Sequence, residues 1–279
     1  MATQAQTFRK FNAGQLSLSV YNASENSFGV ASVIVSGEKD AILVDAQFTL
    51  ADAENVAQEI KNSGKNLTTI YISHGDPDFY FGLQVFKKYF PDVTAYATSS
   101  TIEHIKATAQ KKLDVWGKNL GKAISSNVIL PQLLQGNALE LEGQKLEVIG
   151  LEEFPYTTFV WIPAIKAVVG GINIFGNTFH LWMADAQTPE VRNKWIAVLD
   201  KITSLQPEIV IPAHANADAA FDITSVKYTK DYILFYAEAL KQHKTSESLI
   251  KALKEKYPAA QFETALQLGA KVNTGEMKW

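Results

Sequence analysis

Ile72-Ser73-His74-Gly75-Asp76-Pro77-Asp78-Phe79-Tyr80-Phe81-Gly82 sets three potential metal ligands, His74, Asp76 and Asp78, within five residues. The apolar run 67–72 that ends in it reads as a β-strand, and residues 80–89 beyond it read as a helix stopped at Pro91. The side chains between them therefore cluster at the C-terminal end of a strand, where layered α/β folds place their ligands. An imidazole with carboxylates is a recognised ligand set for zinc, iron or manganese. The same residues also suit a helix-capping loop, with Asp76-Pro77 as a turn and Asp78 close to the helix N-terminus. Taken alone, the residues leave both readings open.

Working outward, period-2 and β-branched runs at 16–21, 28–35 and 41–45, with a turn at 37–40, predict antiparallel strands. A helix over 51–63 ended by Gly64, a strand over 93–97 and a helix opening at 98–101 with Glu103 placed for capping come next. Residues 111–135 lack clean periodicity and predict a partly helical excursion over the surface. Strand signals resume at 138–141 and 145–149 around Glu142-Gly143, then at 158–162 and 167–169. A helix over 189–204, a short strand over 209–211 and helices over 224–243, 246–256 and 259–268 complete the chain. Two successive halves of strands followed by helices describe an α/β four-layer sandwich, with the strands before Gly82 facing those between 138 and 211 as two mixed sheets. No short repeat or long linker divides residues 1–279, so one domain is expected, with a helical extension over about 220–279 packed on it. Tyr228, Tyr232, Leu234, Phe235 and Leu240 form the apolar stripe that needs this partner surface.

At 279 residues, with 47% hydrophobic and 20% charged side chains, the composition is that of a globular protein able to bury a core without disulfides or a structural metal. The 26 Lys and Arg against 29 Asp and Glu leave a formal charge of -3 and no basic patch, which argues against nucleic acid as a partner. No apolar run approaches the roughly 18 residues of a membrane span, so a soluble chain without a membrane partner is expected. The absence of Cys excludes a thiol nucleophile, an iron–sulfur cluster and a Cys-ligated zinc. Residues 1–7 are polar and carry no signal-peptide core, which leaves a cytoplasmic chain and a periplasmic or secreted one with its signal removed both open. Gly170-Gly171-Ile172-Asn173-Ile174-Phe175-Gly176 has neither the dinucleotide-binding glycine order nor a P-loop Lys, and no GxSxG elbow occurs.

His214 ends another apolar strand, in Ile211-Pro212-Ala213-His214, and so belongs to the same sheet edge as His74 if the strands run parallel. Together with Ile42-Leu43-Val44-Asp45 and the 72–82 segment, this order and spacing resembles the metallo-β-lactamase superfamily over about residues 15–215. The resemblance implies an αββα sandwich with one or two divalent ions at its edge. It also implies a metal-activated water that attacks an ester, lactone, amide, thioester or phosphoester. His74 and Asp78 match the first His and the Asp of the family's HxHxDH signature, while Asp76 and Phe79 replace its other two His. A further family His is expected near residues 150–155, where Glu152 and Glu153 are the only stand-ins. The family's bridging Asp is absent, and Asn173 occupies its neighbourhood.

The five His of the chain are His74, His104, His180, His214 and His243; the two at 104 and 243 lie in Lys-, Glu- and Gln-rich helical segments that read as solvated. A complete two-zinc centre is thereby ruled out, and the implied cofactor is one divalent ion (zinc, iron or manganese) or none. The ligand set on this reading is His74, Asp76, Asp78 and His214 with Glu152 or Glu153, and Asp78 is the carboxylate beside the water. Phe79, Tyr80, His180 and Trp182 are the candidate contacts to a small-molecule substrate. Two functions follow: a hydrolase with a remodelled, mononuclear site, or a metal-free descendant of the fold that binds a small ligand or partner.

Overall fold

The computed structural model describes residues 8–279, so residues 1–7 and the two readings of that start lie outside the described residues. Strands β1 (Arg9–Ala13), β2 (Leu16–Asn22), β3 (Ala31–Ser36) and β4 (Asp40–Val44) form an antiparallel meander. Helix α1 (Leu50–Ser63) then crosses to β5 (Asn66–Tyr71), which pairs parallel to β4. Thr49 caps α1 by accepting from the Asp52 N–H, and Gly64 ends it in the left-handed region. The short helices α2 (Pro77–Tyr80) and α3 (Leu83–Tyr89) lead to β6 (Thr94–Ala97), and α4 (Ser99–Leu120) to β7 (Gln132–Leu133), both strands again parallel. The first sheet thus holds seven strands in chain order, and it extends past Gly82 to take in β6 and β7.

The second sheet runs in the order β12-β11-β10-β9-β8, from β8 (Ala138–Leu141), β9 (Gln144–Ile149), β10 (Phe159–Ile162), β11 (Ala167–Val169) and β12 (Ile209–Val210). All its pairings are antiparallel except β11 with β12, which are joined through α5 (Pro189–Ser204). Helices α6 (Ile223–Gln242), α7 (Ser246–Lys256) and α8 (Glu263–Asn273) follow. Two mixed sheets with flanking helices make the α/β sandwich that the sequence predicts.

Strand alternation explains the layers. Val33, Val35, Ile42 and Val44 point between the sheets against Leu146, Val148, Val160 and Val169, while Ile34, Leu43 and Ile70 point outward under α1, α3 and α4. On the far side, Trp161, Val168 and Val210 meet Tyr232, Ile233 and Tyr236 of α6, Leu249 and Leu253 of α7, and Ala265 and Leu266 of α8. Leu234, expected in that apolar stripe, faces outward instead and is half exposed.

Three local expectations are corrected by the structure. The helix expected over 80–89 breaks at Gly82, where a Cβ would come 2.0 Å from the Ala46 carbonyl oxygen; the loop after β4 lies against the chain there. Glu103 does not cap α4: Thr98 accepts from the Thr101 N–H, and Glu103 instead accepts from the Ser99 hydroxyl. The last helix begins at Glu263 rather than 259, because Phe262 turns left-handed (φ 70°) and Gln261 bridges to Phe179.

Candidate functional site

The two sheets are tied together beside the loop that follows β5. Asp45, at the end of β4 with φ 66°, accepts from the Ser73 N–H (2.8 Å) and hydroxyl (2.7 Å), and the same Ser73 oxygen accepts from the Gly171 N–H (2.7 Å) after β11. Burial pushes the Asp45 carboxyl up to about 7, against the opposing pull of the Ser73 hydrogen bonds. This buried knot sets where residue 74 and its successors enter the edge of the sandwich.

A cavity of about 660 Å³ opens at that edge, and His74, Asp76, Asp78 and His214 all line it. All four meet in this one cleft, and within it their close contacts fall in two pairs. His74 Nε2 stands 3.3 Å from Asp76 Oδ2, whereas His214 Nε2 stands 3.7 Å from Asp78 Oδ2. His214 directs Nδ1 at the Phe28 carbonyl oxygen (3.0 Å), which assigns its proton there and leaves Nε2 as the acceptor. Its ring is packed between Phe175 (centroids 4.9 Å, stacked) and Phe79 (5.8 Å, edge-on), and burial pushes its pKa down to about 4. Asp78 is pushed up to about 7, first by burial and then by the neighbouring Asp76 charge.

The first pair is answered by α4. Lys112 ion-pairs with Asp76 Oδ1, donates to the Gly75 carbonyl oxygen (3.2 Å) and lies 3.1 Å from His104 Nε2, which is itself 3.6 Å from Asp76 Oδ1. Burial works against the ionised form of Asp76, yet His74, His104 and Lys112 together hold its carboxyl well below the ordinary range. Burial likewise opposes a proton on His74, but Asp76 and then Asp78 outweigh it and raise its pKa. The approach of α4 depends on Gly75, where a Cβ would come 2.7 Å from His104 Cδ2.

His104, read as solvated from its surroundings, keeps 40% of its side chain exposed but faces the cleft, and the partly helical stretch expected over 111–135 opens as the continuation of α4 to Leu120, one face of which lines the cleft. His104, Thr108, Lys111, Lys112, Val115 and Trp116 line one face of that helix. Their spacing of three and four residues is the signal that marks the face.

The other expected contacts separate. Trp182 lines the cavity, with Phe28, Trp116, Tyr156, Ile172, Phe262 and Trp279. Phe79 and Tyr80 are buried outside the cavity lining; Phe79 packs under the floor against the rings of His74 (5.3 Å) and His214. Glu152 and Glu153 are exposed, away from the cavity, and Glu153 lies 3.7 Å from Lys201. Asn173 is buried and donates to the Thr157 carbonyl oxygen (2.8 Å). Asp185, unremarked in the sequence, joins the lining and accepts from the Trp279 indole N–H (2.5 Å).

His180 also leaves the substrate set: it is 1% exposed beneath α6, with Nδ1 2.9 Å from the Tyr232 hydroxyl. Burial lowers its pKa from 6.5 to about 4. The unfolded chain thus takes a proton near pH 6.5 that the folded one refuses until about pH 4, so this contribution to stability is full above pH 6.5 and is lost as the pH falls towards 4. Urea unfolding at pH 7 and pH 5 is expected to show wild type losing about 2 kcal/mol more than His180→Gln between the two conditions. Equal losses in both proteins would contradict this account of His180.

The chain is similar in fold to proteins of known structure. Residues 26–151 match the family model described as the metallo-beta-lactamase superfamily. A metallo-beta-lactamase from Pontibacter korlensis is similar with TM-score 0.57 and 15% identity over 82% of this chain and 99% of that one. DIM-1 metallo-beta-lactamase exposed to ceftazidime gives TM-score 0.54 and 18% identity over 83% and 99%. VMB-1 at pH 5.5 gives TM-score 0.57 and 14% identity over 84% and 100%. No curated protein matches the chain. The chain has the metallo-β-lactamase fold.

The superfamily generally binds divalent metals, often zinc. The side chains here do not fit such an ion. Among the described residues no three His, Cys, Asp or Glu are grouped so as to hold one. Asp76 is already ion-paired with Lys112, and Asp78 lies 3.7 Å from His214. Among the described residues no helix is long and apolar enough to cross a membrane.

Proposed function

We propose that this chain binds a flat, largely apolar small molecule in the cleft, as a ligand-binding descendant of the fold that works without metal-activated water. The observation that carries this reading is the lining: six aromatic side chains, Phe28, Trp116, Tyr156, Trp182, Phe262 and Trp279, surround about 660 Å³ above a floor whose charges are spent on one another. That volume, with a lining surface that is mainly apolar and polar groups gathered at one end, is that of a drug-sized ligand site. Trp182 stacks on Phe262 (6.0 Å) and meets Trp279 edge-on (5.9 Å), which makes a continuous aromatic face for a planar ligand.

Three of the five Trp line the cavity, so binding is expected to quench intrinsic fluorescence. A panel of planar aromatic and lactone-bearing compounds should include micromolar binders, and Trp116→Ala and Trp182→Ala should each weaken them roughly tenfold, the loss expected for one stacked ring. A panel with no binder, or variants that bind as tightly as wild type, would sink the reading.

One observation favours hydrolysis as a second reading. Asp78, with its pKa near neutrality, and the unprotonated Nε2 of His214 lie 3.7 Å apart at the cavity floor, an arrangement suited to passing a proton. Lactone, β-lactam, thioester and phosphodiester substrates assayed with zinc, manganese or iron, beside a chelated control, separate the two. Turnover that disappears on chelation and in His214→Ala would replace the ligand-only reading.

A further inference from the structure

We propose that the ammonium of Lys112 is the resident cation of this site and takes the electrostatic place of a divalent ion. The inference rests on the reading of the cleft as metal-free, and it names what holds the acidic floor together there. An ammonium presents three hydrogens and no lone pair. Lys112 has two fixed acceptors, the Asp76 carboxylate and the Gly75 carbonyl oxygen at 3.2 Å, and His104 Nε2 lies 3.1 Å away as a third in the tautomer that carries its proton on Nδ1. Two of these, the carboxylate and the imidazole nitrogen, are atoms a metal ion would itself require.

The geometry is built rather than incidental. Lys112 and His104 stand two helical turns apart on the same face of α4, and Gly75 lets that face close on the loop. The Lys112 side chain is only 20% exposed, so its charge is carried inside the cleft and not in bulk water. An ion entering beside His74 and Asp76 would meet this fixed positive charge and would have to displace it from Asp76. With its charge held by Asp76 and the Gly75 carbonyl oxygen, Lys112 is also not the main hook for ligand, which leaves recognition to the aromatic walls.

The test uses the intact chain, purified without chelator and titrated with zinc, manganese, iron(II) and cobalt(II). Wild type is expected to show no concentration-dependent rise in Tm and no visible cobalt absorption. Lys112→Met, neutral and of similar length, should melt lower and then recover in a saturable way as any of these ions is added, with cobalt absorption appearing. Asp76→Asn combined with Lys112→Met removes both charges and should melt close to wild type while ignoring metal. A wild-type protein that gains Tm with metal and loses that gain in His74→Ala would overturn the proposal. So would a Lys112→Met protein that ignores metal, since Lys112 would then be an ordinary ion pair. If Lys112→Met does not fold, the double variant decides: a melting point near wild type supports the proposal, and failure to fold overturns it. Fluorescence quenching by the aromatic panel is read separately, so a cleft that binds no ligand and a cleft that binds a metal are distinguishable results.

Discussion

A chain ending at residue 220 is expected to be aggregation-prone and to show no cooperative melting. The deletion removes α6, α7 and α8 and with them Tyr232, Ile233, Tyr236, Leu249, Leu253, Phe262 and Leu266, all buried in the cluster that covers the outer face of the second sheet. Each fully buried side chain of this kind contributes roughly 1.5–3 kcal/mol. Their sum, about 10–20 kcal/mol, is as large as the roughly 5–15 kcal/mol by which a folded protein of ordinary stability outweighs its unfolded form. The fragment would also expose Phe175, Phe179, Leu181 and Met183 as one apolar surface. Solubility on expression, a thermal melt by circular dichroism and binding of a hydrophobic dye measure this. A soluble fragment with a sharp transition would show that residues 8–220 suffice, and that the helices are an addition.

Asp45→Ala is expected to cost about 3 kcal/mol, because it strands two buried donors at once. The Ser73 N–H and hydroxyl both lose their acceptor, and the Ser73 oxygen that receives the Gly171 N–H loses its orientation. Asp45→Asn keeps one acceptor oxygen for the Ser73 N–H and should cost about half as much or less. Since this knot joins the two sheets directly before His74, ligand quenching of tryptophan fluorescence should weaken in Asp45→Ala beyond the loss in stability. Urea unfolding of the three proteins side by side is the measurement. A loss below about 1 kcal/mol in Asp45→Ala would mean that solvent reaches Ser73 and replaces the carboxylate.

Much of the architecture is readable from local signals. The runs 41–44 and 70–72 are apolar on both faces, as strands covered by helices on one side and by a second sheet on the other must be. The helix over 189–204 announces itself through Thr188, Pro189 and its apolar spacing, and α5 spans those residues. His74, Asp78 and His214 are readable as cleft residues because each follows an apolar strand. Glu152 and Glu153 are placed near the site only by family spacing, and nothing local fixes the direction in which that turn projects them.

Propensity, capping and periodicity therefore encode the order of strands and helices, the sandwich, and the strand ends that form one edge. Which partners meet at that edge is set by the packing of the whole chain. His104 and Lys112 have the surroundings of a solvated helix, and they become the floor of a cleft only because α4 closes on Gly75. His180, next to Trp182 in sequence, is turned under α6 while Trp182 faces the cavity. The break at Gly82 exists because the Ala46 carbonyl oxygen lies against it. Each of these depends on a contact between segments distant along the chain, and such a contact acts through shape and charge that no local stretch of residues carries.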